Sequence, residues 1–124
     1  MARSTPKRDL AGFYDTCVIY QDGHEWVAHS IMTDQIGVGD SVLDAYVALR
    51  RALTALLEAA SDDPAITVFS LAPPAVRQRA LKAKPLPREL LEIAEMRLGG
   101  KTVSIDGVKL PGKILRAPAG DLGP

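Results

Sequence analysis

The feature that most restricts the fold of this chain is an amphipathic stretch near its middle. Asp40-Ser41 opens it, and Val42, Ala45, Tyr46, Leu49, Leu53, Leu56, Leu57 and Ala60 recur at steps of three and four residues. Asp44, Arg50, Arg51, Thr54 and Glu58 fall largely off that stripe. A helix with one apolar face has to lay that face on a second layer. Ser41 and Asp44 stand at nearly the spacing of a capping box, and Ser61-Asp62-Asp63-Pro64 stops the helix near Ala60.

The second layer is written mostly ahead of the helix. Residues 13–20 (FYDTCVIY) and 25–32 (EWVAHSIM) are rich in aromatic and β-branched side chains. Asp22-Gly23 between them tolerates the positive φ of a tight hairpin turn. Within the second run, Trp26, Ala28, Ser30 and Met32 share one face, and Val27, His29 and Ile31 share the other. Neither face is uniformly polar, so partial cover is expected on both. Residues 33–38 read as a short third strand closed by Gly37 and Gly39, and residues 65–70 (AITVFS) as a strand returning to the sheet edge. The expected fold class is therefore α+β: a small antiparallel or mixed sheet in the order β-β-β-α-β with one long amphipathic helix.

Beyond residue 70 the character changes. Pro73-Pro74 opens a short helix to about Lys82, and Pro87 opens another over ELLEIAEMRL, stopped by Gly99-Gly100. Asp106-Gly107 joins TVSI to VKL as a hairpin over 102–110, ahead of a Pro/Gly-rich tail expected to be mobile. The resulting organisation is a loose arm over 1–12, an α/β core over 13–70, a helical extension over 71–100, and hairpin and tail over 101–124. A chain of 124 residues, 47% hydrophobic and 24% charged, has the size and composition of one globular domain.

The order strand, turn, strand, glycine-containing loop, helix, strand over 13–70, centred on GVGDSVLDAYVALRRALTALLE, resembles the HicB-like antitoxin family. In that family a Gly-Asp-Ser/Thr step leads into a helix with Ala one turn in and a Leu-rich face. Gly39-Asp40-Ser41, Ala45, Leu49 and Leu53 match it. The resemblance implies a degenerate ribonuclease-H-like sheet, non-catalytic, which in toxin–antitoxin pairs masks a small RNA-cleaving toxin. Residues 29–38 (HSIMTDQIGV) lack the Pro-Asp-Leu-Pro-Gly-like stretch common there, so partner recognition through that loop is not carried over.

The residues themselves give little catalytic chemistry, and no enzyme activity is expected. Of the carboxylates available to a two-metal nuclease, Asp22 belongs to a turn, Asp40 to a helix cap and Asp44 to a first helical turn, leaving Asp15 and Asp34. His24 and His29 point to opposite faces of an extended strand, and with Cys17 they read as solvated and packed groups rather than a zinc site. Gly37-Val38-Gly39 lacks the Gly-Lys-Ser/Thr of a phosphate loop, and Asp40 occupies the place an anion would take. Neither cofactor nor metal is expected.

Fifteen basic residues balance fifteen acidic ones, so binding to a charged partner needs a local patch. Arg77, Arg79, Lys82, Lys84 and Arg88 form the one concentration of cations without interleaved acids, a candidate contact for nucleic acid or an acidic protein. The expected role is a non-catalytic module that binds a protein partner, concretely a HicB-like antitoxin or a stand-alone relative. The alternatives are a DNA-binding regulator using residues 66–98 and an accessory subunit of a larger assembly. DNA is not favoured, because 65–70 offers bulky Phe69 and the second helix carries Glu89, Glu92 and Glu95. Self-association as a homodimer or a higher homo-oligomer is expected through unpaired edges, with Val103, Ile105, Val108 and Leu110 as the candidate interface. No stretch approaches eighteen uninterrupted apolar residues and Cys17 is the sole cysteine, which points to a cytoplasmic setting with no membrane contact.

Overall fold

The computed structural model describes residues 15–99, together with the backbone of residues 112–116. Strands β1 (Asp15–Asp22) and β2 (Glu25–Ser30) pair antiparallel, with Tyr20 opposite Val27 and Asp22 opposite Glu25. Gly23 and His24 make the turn, and Gly23 takes φ 64°, a conformation in which a side chain is strained. Strand β3 (Ile36–Gly39) pairs antiparallel with β2, placing Gly37 opposite Ala28 and Ile36 opposite His29. It begins later than the run 33–38 suggests, because residues 31–35 are spent on the connection. There the Ser30 amide donates to the Gln35 carbonyl at 2.8 Å, and Asp34 sits at φ 59°.

Helix α1 (Val42–Asp62) is capped by Ser41, whose hydroxyl accepts the Asp44 amide at 3.0 Å; Asp40, which the sequence assigns to the cap, lies in the bend before it instead. Ala45, Tyr46, Leu49, Leu53, Leu57 and Ala60 are buried as the stripe requires, and they lie on Cys17, Ile19 and Ala28 of the sheet. Burying side chains such as Ile19, Leu49 and Leu57 is worth about 1.5–3 kcal/mol each. Arg50, placed off the stripe by its charge, is also buried. Helix α3 (Arg88–Leu98) extends this layer with Ala94 and Leu98 and ends at Gly99 in the left-handed region, φ 66°.

Helix α2 (Pro74–Lys82) covers the other side of the sheet, where Val76 and Ala72 pack with Val18, and Tyr20 and Ala80 adjoin them. Val27 and His29 on this side of β2 are buried, as is Ala28 on the α1 side, so both faces of β2 are covered as its mixed pattern anticipates. The α+β class is therefore observed, and the sheet holds five strands in the order β3-β2-β1-β5-β4. β4 is the pair Lys84–Pro85, and β5 (Gly112–Arg116) runs parallel to β1, with Asp15 opposite Gly112 and Ile19 opposite Arg116.

Two expectations are corrected here. Residues 65–70 form no strand: Val68 is buried in the core with α1, Phe69 is half exposed, and the Ser70 and Ala72 amides donate to the Met32 and Ile31 carbonyls, each at 2.9 Å, outside any ladder. The place beside β1 is taken instead by residues 112–116, from the tail expected to be mobile. The hairpin over 102–110 lies outside the described residues, as does the arm over 1–12. No helix among the described residues is long and apolar enough to cross a membrane.

Candidate partner-binding face

Three polar clusters are built into this frame. On the α1 side of the sheet, the Ser30 hydroxyl donates to Asp15 at 2.5 Å, the Thr33 hydroxyl donates to Ser30 at 2.6 Å, and the Met32 amide donates to Asp15 at 3.2 Å. Burial holds the Asp15 carboxyl above the usual carboxylate range, and these hydrogen bonds only partly offset it. On the α2 side, His29 Nε2 lies 2.6 Å from Asp34 Oδ1 and Nδ1 lies 3.2 Å from the Tyr20 hydroxyl. A neutral His29 that donates Nε2–H to Asp34 leaves Nδ1 to accept the tyrosine proton. Between α1 and α3, Arg50 Nη1 donates to Tyr46 at 2.5 Å and to Glu95 at 2.6 Å.

Asp15 and Asp34 therefore lie on opposite faces, each with its own partners, and do not converge. The imagined His24, His29 and Cys17 set is also separated. His24 is exposed in the turn, His29 points to the α2 side, and Cys17 is buried under α1 with its thiol pushed up by desolvation. Among the described residues, no three acidic, histidine or cysteine side chains gather as a metal site would need.

The predicted cations divide into two groups. Arg79 stacks its guanidinium 4.6 Å above the Tyr20 ring and so ties α2 to the sheet. Arg88 pairs with Glu92 one turn along α3 at 3.3 Å, with both side chains exposed. Arg77, Lys82 and Lys84 are exposed on α2 and β4. No carboxylate occurs between Asp63 and Glu89, so the residues of α2 and β4 themselves carry only positive charge, while Asp22 and Asp34 of neighbouring elements lie close enough to Tyr20, under Arg79, to act on its hydroxyl. Arg79 and Lys82, with Ala75 and Gln78, line a shallow concavity of about 140 Å³, room for a carboxylate-sized group. A larger groove of about 510 Å³ between α1 and the end of α3 mixes charges, Glu58 beside Arg51 and Arg97.

Sequence reasoning missed one member of the face. Leu81 is 81% exposed, one turn from Arg77, and Phe69 and Leu71 are also exposed on the run leading into α2. An apolar residue spaced four from Arg77 and flanked by Lys82 was the available signal. Val103, Ile105, Val108 and Leu110, the other predicted interface set, lie outside the described residues. No protein-family model, no curated protein and no solved structure matches this chain.

Proposed function

We propose that this protein is a non-catalytic module that binds a protein partner, as a HicB-like antitoxin or a stand-alone relative, and that α2 and β4 supply the contact. The observation that supports this reading is the exposure of Arg77, Lys82 and Lys84 on a run of residues that contains no carboxylate, with Leu81 exposed among them. Cations around an apolar side chain suit a protein surface of carboxylates and one apolar anchor better than a phosphate backbone, which has no use for the leucine. A toxin partner would have to offer such a surface. Support for a binding rather than a catalytic role is that Asp15 and Asp34 engage different partners, Ser30 and His29, on opposite faces of the sheet. A cytoplasmic setting and the absence of any membrane partner belong to the same reading, as does self-association.

The test is co-purification with the product of the neighbouring reading frame, comparing wild type with an Arg77→Glu/Lys82→Glu variant. A complex that weakens with salt and is lost in the variant is the expected result. Absence of a complex overturns the reading. So does a salt-dependent shift of duplex DNA that the same variant abolishes, which assigns the face to a DNA-binding regulator. A defined high-mass assembly indifferent to the charge reversal would assign the chain to an accessory subunit.

A further inference from the structure

The two edges of the sheet are finished differently. At one edge, β4 carries Lys84 and Pro85, the residue types that stop further strands from adding. At the other, β3 reads Ile36-Gly37-Val38-Gly39, with neither charge nor proline. Its glycines face α1 and are sealed against it, while Ile36 and Val38, on the opposite side, are 50% and 42% exposed.

The ladder fixes which backbone groups of β3 are open. The Ser30 amide bonds the Gln35 carbonyl, so the alternate pairs Ala28–Gly37 and Trp26–Gly39 are the hydrogen-bonded ones. Ile36 and Val38 therefore aim their own amide and carbonyl groups outward, away from β2.

We propose that β3 pairs antiparallel with β3 of a second copy about a two-fold axis through Gly37. In that register Ile36 of each chain faces Val38 of the other, and the outward backbone groups of both residues are satisfied reciprocally. The same pairing sets the two exposed β-branched side chains against each other on one face, so the strand is complementary to itself. The strand is bounded by Asp34, which has left it at φ 59° with its carboxylate on His29, and by Asp40 in the bend before α1. Only four residues pair, so the dimer is weak, in the class of small transient interfaces. It lies at the edge opposite β4 and gives the self-association of the reading above its surface, without depending on the partner bound through α2 and β4.

Sedimentation of the full chain from micromolar to millimolar concentration is expected to show a monomer–dimer equilibrium, and Val38→Lys to shift it to monomer with an unchanged urea midpoint. A second measurement fixes the register. Mixed Ile36→Cys and Val38→Cys proteins should form a disulfide-linked pair under mild oxidation faster than either alone, with buried Cys17 out of reach. A monomer at every concentration, a dimer that Val38→Lys leaves intact, or no preference for the mixed cross-link overturns the proposal. The cross-linking result stands even if Val38→Lys fails to fold.

Discussion

A methyl group built on Gly37 would overlap the backbone of Leu49, and this closeness fixes how β3 lies against α1. Gly39 is similarly placed, with its added carbon 2.5 Å from Asp44 Cβ. Since the obstruction at Gly37 is backbone, it cannot swing aside as a side chain tip could. Gly37→Ala is expected to cost about 2–4 kcal/mol through displacement of β3. Gly23→Ala, where nothing lies within 4 Å and only the positive φ resists, should cost about 1 kcal/mol. Urea melts of the two variants check the order, and equal losses would show that the close approach is not what holds β3.

Leu53 and Arg51 report the two sides of α1. Leu53 is buried and Arg51 exposed, so Leu53→Ala should cost about 2–5 kcal/mol and Arg51→Ala less than about 0.5 kcal/mol. Equal and small losses would mean that α1 presents a different face.

Glu95 holds Arg50 from another helix. Arg50 is buried, so removing its acceptor leaves a cation with less to bind, while the half-exposed Glu95 contributes less than a fully buried partner would. Glu95→Ala is expected to cost about 1–2 kcal/mol, with Glu95→Gln recovering part through a neutral hydrogen bond. Indistinguishable melts for wild type and Glu95→Ala would remove the pair as a tie between α1 and α3.

Asp15 gives stability a pH dependence of unusual sign. Burial raises its folded-state pKa above the unfolded value near 4, so the native state binds the proton more tightly. Its contribution therefore improves as pH falls through the raised folded value and levels off below the unfolded one. Asp44 acts oppositely. The hydrogen bond from Arg97 lowers its pKa, so its stabilisation is present above the unfolded value and lost as pH falls through the folded one. The stability of wild type relative to Asp15→Asn should thus rise on acidification from neutral pH. A difference that is flat or falls would contradict this.

Purified protein is expected to leave RNA and DNA intact in the presence of divalent metal, because Asp15 and Asp34 lie on opposite faces of the sheet. Metal-dependent cleavage that disappears in Asp15→Asn or Asp34→Asn protein would reverse this.

The parts of this fold legible in the sequence are those whose signal is local. The stripe from Ala45 to Ala60, the Ser41 cap, the glycine turn at Gly23 and the stop at Gly99 each depend on neighbours a few residues away. Arg50 was misplaced because its burial depends on Glu95, forty-five positions on, and periodicity reads a charge as solvent-facing. β5 was missed for a related reason: its short run Lys113-Ile114-Leu115-Arg116 is embedded among prolines and glycines, and its partner β1 is remote. Within the candidate face, charge alone found the cations but could not separate Arg79, which stacks on Tyr20, from Arg77 and Lys82, which meet solvent.

The parallel pairing of β1 with β5 has a kinetic consequence. β1, β2, β3 and α1 meet through contacts of short sequence separation and can assemble early. The flank of β1 that receives β5 stays open until nearly the whole of the described chain has returned to it. During synthesis this flank waits, with its backbone groups unpaired, until residues 112–116 have left the ribosome. Over that interval the nascent chain offers strand-pairing surface that the finished sheet encloses, and its exposure to misassembly is set by translation rate as much as by stability.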